Sequence, residues 1–107
     1  MLKSAIYIVS TPIGNLADIT LRAIDVLRSV EFIAAEDTRH SKRLLNCYDI
    51  VTPLISLHDH NEHSRAVELV GRIKQGQSMA LISDAGTPLI SDPGYKLVSY
   101  ARSQGVD

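Results

Sequence analysis

The sequence contains few of the features that mark secreted or membrane proteins. It has one cysteine, Cys47, and no tryptophan among 107 residues, so no internal disulfide can form. Its apolar runs are only a few residues long, far short of the roughly 20 residues that a membrane span needs. No basic stretch followed by a long apolar one marks a targeting signal. We therefore expect a cytoplasmic protein that makes no membrane contact.

The chain also lacks a strong excess of either charge. Eleven Lys and Arg residues stand against twelve Asp and Glu residues, for a formal net charge of −1. Because non-specific affinity for nucleic acid comes from neutralising phosphates, this balance excludes a protein that binds through bulk positive charge, although it permits a local basic patch. The hydrophobic share of 45% is ordinary for one small globular domain.

Four short apolar runs alternate with segments of helical periodicity. The runs cover residues 5–10, 31–35, 53–57 and 78–83. They are too continuous for strands with one solvated face, and are typical of a parallel sheet whose strands are buried on both faces. The alternation predicts an α/β fold, with three layers: an open, mainly parallel sheet with helices on both faces and right-handed crossovers.

The segments between and after these runs carry helix signals. In the segment between the third and fourth runs, apolar residues follow the i, i+3, i+4, i+7 spacing of a helix, and Gly76 stands where a C-cap glycine belongs. The segment between the first and second runs has Asp18 and Thr20 as capping candidates. The segment after the fourth run ends before Gly105. The residues expected to pack into the core are Leu21, Ile24 and Leu27; Leu44, Leu45, Cys47 and Tyr48; Ala66, Leu69, Val70 and Ile73; and Leu97, Val98 and Ala101.

Ligands of open parallel sheets bind outside the carboxyl ends of the strands. The segments to consider are therefore 10–15, 36–40, 58–63 and 84–88, which follow the four strands. The first and last contain small residues that leave backbone groups accessible to a polar ligand. The first matches neither a GxGxxG nor a Walker pattern. Both could also be ordinary βα turns, but the long stretch after Asp84 favours a functional loop.

Charged residues dominate the segment after the second strand. Glu36 and Asp37 are either carboxylates with a chemical role or acids at a helix N-terminus, where the dipole favours them. Arg39, Lys42 and Arg43 form a short basic run, which either meets phosphates or is a solvated face.

Histidines concentrate in the segment after the third strand. His58, His60, Glu62 and His63 resemble the HxHxDH pattern of binuclear metallo-hydrolases. Such a site needs further ligands, and His40 is the only other histidine, so the ligand count falls short. We expect no metal, and keep a metallo-hydrolase using these three histidines as an alternative function.

Together, the strand-end segments resemble one family. The motifs are IVSTPIGNLADIT from Ile8, AAEDTRH from Ala34, ISLHDHNE from Ile55 and LISDAGTPLISDPG from Leu81. In this order they are similar to those of bacterial ribosomal RNA small subunit methyltransferase I, a branch of the tetrapyrrole methylase superfamily. Relatives that methylate tetrapyrroles have a GxGPGD-like first loop and a GDP-like fourth loop. The departures from both here fit the RNA-modifying branch.

This resemblance implies a reaction and a domain organisation. The reaction is 2′-O-methylation of a cytidine ribose in small-subunit ribosomal RNA, with S-adenosylmethionine as methyl donor and the RNA or the 30S subunit as partner. The superfamily holds its cofactor between two α/β domains and commonly forms homodimers. Residues 1–107 would then be the amino-terminal domain without the carboxy-terminal one, and inactive alone. The alternative is a binding module that dimerises or docks without chemistry.

The resemblance also implies roles for individual residues. Small loops with exposed backbone donors suit a cofactor that consists of a nucleoside and an amino acid. The sequence does not choose among the candidates for a general base or for orienting the ribose. The expected residues are Pro12, Ile13, Asp84, Gly86, Thr87 and Ile90 for the cofactor; Glu36, Asp37 and His58 for catalysis; and Arg39, Lys42 and Arg43 for RNA phosphates.

Overall fold

The computed structural model describes residues 4–11, 16–36, 38–57, 62–84 and 100–105. The predicted α/β fold is confirmed, and each strand boundary lies within one residue of the prediction. None of the helices in these ranges combines the length and the apolar character that a membrane crossing requires. The strands are β1 (Ile6–Thr11), β2 (Phe32–Ala35), β3 (Leu54–Ser56) and β4 (Met79–Asp84), and the helices are α1 (Leu21–Ser29), α2 (Thr38–Cys47) and α3 (Glu62–Lys74). Residues 100–103 are also helical.

The four strands form a parallel sheet in the order β1-β4-β2-β3. The chain advances across the sheet from β1 to β2 and from β2 to β3, and then returns to place β4 between β1 and β2. Helices α1 and α2, which connect β1 to β2 and β2 to β3, lie on one face of the sheet. Helix α3, which connects β3 to β4, lies on the other face. Because crossovers between parallel strands have the same hand, a connection that runs back across the sheet must place its helix on the opposite face.

Two apolar cores fill the spaces between the layers. Along β2 the side chains alternate: Ile33 and Ala35 pack toward α1 and α2, whereas Phe32 and Ala34 pack toward α3. All four are buried because β2 has a strand on each side and helices above and below. The core on the α1/α2 face contains Val9, Ile24, Leu27, Val30, Leu44, Leu45, Ile50, Ala80 and Ile82; the core on the α3 face contains Leu57, Ala66, Leu69, Val70, Ile73, Met79, Leu81 and Ala101.

The helix ends follow from local hydrogen bonds. Thr20 is the N-cap of α1, since its side chain accepts a hydrogen bond of 3.0 Å from the backbone N–H of Ala23, while Asp18 belongs to a short 3-10 helix. After α3, Gly76 has a φ of 102° and its N–H donates to the Ile73 carbonyl at 3.0 Å. The left-handed backbone there explains the glycine.

Among the described residues, two side chains expected in the core are on the surface instead, while Leu97 and Val98 lie outside the described residues. Leu21 is 81% exposed because it begins α1, one turn before the part of the helix that Ile24 and Leu27 anchor to the sheet. Cys47 is exposed at the end of α2, where the buried face is formed by Ser41, Leu44 and Leu45. In addition, Ile8 is 52% exposed, since β1 is an edge strand of the described sheet.

A buried and an exposed residue of α3 provide a test of the packing. Leu69 is fully buried and Val67, two residues earlier, is 47% exposed. Leu69→Ala should lower the free energy of unfolding by about 2–5 kcal/mol, as other leucine truncations in cores do, measured by urea denaturation. Val67→Ala should change it by less than about 0.5 kcal/mol. Equal effects of the two substitutions would contradict the placement of α3.

Candidate functional site

The carboxyl ends of all four strands lie at one edge of the sheet, because every pairing is parallel. The strands β1 and β4 end level with each other, with Thr11 opposite Asp84. Beyond Ala35 and Ser56, which are also register partners, the Leu57 N–H still donates to the Ala35 carbonyl at 2.9 Å. The four segments singled out in the sequence therefore all begin at the same edge.

The strand order divides this edge into two halves. Strands β1 and β4 are neighbours, so the segments expected to hold the cofactor begin about one strand spacing, roughly 4.8 Å, apart. Asp84 is the last residue of β4. The remaining residues expected at the cofactor, Pro12, Ile13, Gly86, Thr87 and Ile90, lie outside the described residues.

Strands β2 and β3 form the other half, from which the candidate catalytic residues follow. Glu36 comes directly after β2 and is exposed. Leu57, 1% exposed, fixes the chain at the end of β3. Asp37 and His58 lie outside the described residues, so the choice among the three candidates for a base stays open.

Helix α2 carries the predicted basic run on its solvent side. Its ten residues, TRHSKRLLNC, include no acid. The helix buries Ser41, Leu44 and Leu45 against the sheet, and consequently exposes Arg39, Lys42 and Arg43. The structure thus brings these three cations together on one helix that begins at the carboxyl edge.

A cavity of about 310 Å³ lies between α2 and the edge strand β3. The sequence indicated two of its lining residues, Arg39 and Lys42, as candidates for binding, but not the other three. The spacing of Thr38 and Lys42 by four residues indicates a shared helix face, yet nothing in the sequence indicates that this face adjoins β3. The lining residues are Thr38, Arg39 and Lys42 of α2 and Leu54 and Ser56 of β3.

The described part of the chain contains no group of three or more His, Cys, Asp or Glu residues placed to hold a metal ion. His58 and His60 lie outside that part, as does the side chain of His63. The histidine segment considered in the sequence is therefore untested.

Comparison with known proteins identifies the family. A family model described as Tetrapyrrole (Corrin/Porphyrin) Methylases matches residues 5–107. The chain belongs to the tetrapyrrole methylase family. Within the family, it is 58% identical over 105 residues to ribosomal RNA small subunit methyltransferase I of Haemophilus influenzae, covering 98% of this chain and 37% of that protein. It is 60% identical over 101 residues to the protein of that name in Vibrio cholerae, covering 94% and 35% respectively.

These matches confirm the resemblance drawn from the strand-end motifs, and the chain spans little more than a third of the length of these relatives. Among solved structures, diphthine synthase superposes with a TM-score of 0.71 at 14% identity, covering 95% of this chain and 41% of its own. A conserved hypothetical protein from Aeropyrum pernix K1 gives a TM-score of 0.71 at 18% identity, covering 95% and 36%. At these identities the likeness supports the fold alone.

Cross-linking can test the strand order that brings together the two segments predicted to hold the cofactor. In a Cys47→Ser background, Thr11→Cys combined with Asp84→Cys should be joined by a short bifunctional thiol reagent, because adjacent strands lie about 4.8 Å apart. Thr11→Cys combined with Ser56→Cys is the control, at three strand spacings or about 14 Å. Peptide mass spectrometry gives the readout. Efficient joining of the second pair but not the first would refute the order.

Proposed function

We propose that this chain is the amino-terminal domain of a two-domain methyltransferase that transfers a methyl group from S-adenosylmethionine to a cytidine 2′-oxygen of small-subunit ribosomal RNA. The observation that carries the proposal is the 58% identity over 98% of the chain to a protein named ribosomal RNA small subunit methyltransferase I. We further propose that the whole protein acts in the cytoplasm, on the RNA or the 30S subunit, as a homodimer and without a metal.

The proposed cofactor side is the β1/β4 half of the edge. Thr11 and Asp84 are register partners, so the segments that follow them can contribute to one site. Both segments contain small residues, which suits a ligand that binds through backbone N–H and carbonyl groups and needs no phosphate cradle. Asp84, Pro12, Ile13, Gly86, Thr87 and Ile90 are the residues proposed to hold the cofactor.

S-adenosylmethionine would supply a methyl group bonded to a sulfonium sulfur, and the neutral thioether formed when this bond breaks is a good leaving group. The ribose 2′-oxygen would bond to the methyl carbon as the carbon–sulfur bond breaks, S-adenosylhomocysteine would leave, and the hydroxyl proton would pass to a base or to water. Holding the hydroxyl in line with the methyl group supplies much of the rate. A general base adds about 10²–10⁴-fold, and Glu36, Asp37 and His58 are the candidates.

The proposed RNA side is the β2/β3 half with α2. Its strands follow β4 in the sheet order, so a ribose can lie between the cofactor segments and the cations of α2. Phosphate contacts fix the position of a nucleic acid and supply most of its salt-dependent affinity. Three exposed cations on a helix without acidic residues meet that need, although the net charge of the chain is −1.

Comparison of the chain with a longer protein tests the proposed domain organisation. A full-length protein that contains this chain should bind S-adenosylmethionine and transfer its methyl group to 30S subunits or their RNA. The 107-residue chain should bind the cofactor weakly and methylate nothing, because it offers one side of a two-sided cleft and each decrease of 1.4 kcal/mol in binding free energy lowers affinity tenfold. Transfer of radiolabelled methyl groups provides the measurement. Turnover by the short chain would contradict the organisation, and an inactive full-length protein would favour the binding module.

Paired substitutions in the full-length protein separate cofactor binding from RNA binding. Thr87→Trp should abolish binding of S-adenosylmethionine, measured by calorimetry, because a bulky ring would occupy a loop of small residues. Arg39→Ala should retain cofactor binding and weaken RNA binding, and the slope of log K against log salt should decrease by about 0.7–0.9 for each phosphate that the protein no longer neutralises. An unchanged affinity and slope in Arg39→Ala would mean that Arg39 forms only a surface ion pair, worth about 0–1 kcal/mol.

A further inference from the structure

We propose that the cavity between α2 and β3 is a subsite for one phosphate group of the RNA strand, at a nucleotide next to the methylated one. The inference rests on the proposed function, and adds to it a defined place and a set of contacts. It concerns the cavity lined by Thr38, Arg39, Lys42, Leu54 and Ser56.

The lining of the cavity has the charge and the hydrogen-bond donors that a phosphate requires. Lys42 provides a cation and Thr38 a hydroxyl group that can donate a hydrogen bond to a phosphate oxygen, and Arg39 adds a second positive charge. None of the five lining residues is acidic. A phosphate in this cavity would therefore contact charged and neutral hydrogen-bond donors, and no carboxylate of the lining would repel it.

The backbone adds to this attraction. Thr38 is the first residue of α2, and the N-terminus of a helix carries a partial positive charge. The cavity therefore combines two cations with the positive end of the α2 dipole.

The position of the cavity favours an RNA phosphate over the cofactor. A volume of about 310 Å³ is at the lower limit of the range of about 300–1,000 Å³ for small-molecule sites. It adjoins β3, which is two strand spacings or about 10 Å from β4 and three from β1. A phosphate held there belongs to a neighbouring nucleotide, while the methylated ribose lies nearer the β1/β4 half.

The test uses the full-length protein and a fluorescent single-stranded oligoribonucleotide of small-subunit ribosomal RNA sequence, titrated by anisotropy at several salt concentrations. Lys42→Ala should lower affinity about tenfold and decrease the salt slope by about 0.7, the value for one phosphate of a single strand. Lys42→Arg should restore both. Thr38→Val should lower affinity about two- to tenfold with no change in slope, since it removes a hydrogen bond and no charge.

Arg102→Ala is the matched control. Arg102 is an exposed arginine next to Ala101, which packs into the core on the α3 face, so its removal should leave RNA affinity unchanged. Thermal unfolding of each variant checks that the fold is intact. Inorganic phosphate and cytidine monophosphate, added as competitors, distinguish an RNA subsite from a site for free phosphate: millimolar concentrations should compete only weakly with the oligonucleotide.

The outcomes separate this proposal from the proposed function. If the full-length protein methylates ribosomal RNA while Lys42→Ala and Thr38→Val bind the oligonucleotide as well as the parent does, the subsite is refuted and the function stands. An equal decrease in affinity in Arg102→Ala would also refute it, since the effect would then be general electrostatics. Strong competition by inorganic phosphate would overturn the RNA subsite and make the cavity a free-anion site. Absence of methylation refutes the function, whatever the affinities are.

Discussion

The parallel pairing of β1 with β4 is the constraint on which the rest of the structure depends. It is a continuous register of six residues, from Ile6 opposite Met79 to Thr11 opposite Asp84. Since β4 also pairs with β2, the last described strand is in the interior of the sheet. Its position forces the crossover that contains α3 onto the face opposite α1 and α2, and so creates two cores instead of one.

The same pairing divides the segments at the carboxyl edge into two groups. Segments that are more than 70 residues apart in the chain begin side by side after Thr11 and Asp84, while the acidic and histidine segments follow the other two strands. In the proposed function, the strand order β1-β4-β2-β3 would place the methyl donor and the RNA ribose at neighbouring halves of this edge.

Helix α2 has two chemically distinct faces. One face packs Leu44 and Leu45 into the core on the α1/α2 side, which fixes the helix on the sheet. That anchoring also fixes Arg39 and Lys42 where they line the cavity beside β3. A chain with a net charge of −1 can therefore present a local basic surface, since the position of the charges, and not their sum, decides the field at a bound phosphate.

The sequence by itself determined the elements, because their signals are local. Continuous apolar runs indicated buried parallel strands, the spacing of Ala66, Leu69, Val70 and Ile73 indicated the buried face of α3, and Gly76 marked its end through a backbone angle that other residues rarely adopt. The family was also apparent from the sequence, since its motifs are contiguous segments at strand ends. The rule for parallel sheets predicted that the candidate site lies at the carboxyl edge.

Only the tertiary structure decided which strands are neighbours and which helix residues face the sheet. Periodicity cannot distinguish Leu21, which is exposed, from Ile24 and Leu27, which are buried, because the difference depends on where the helix meets the sheet. Cys47 is exposed for the same reason. The order β1-β4-β2-β3 and the cavity of Thr38, Lys42 and Ser56 arise from contacts between segments that are distant in the chain, and no local pattern encodes the partner of such a contact.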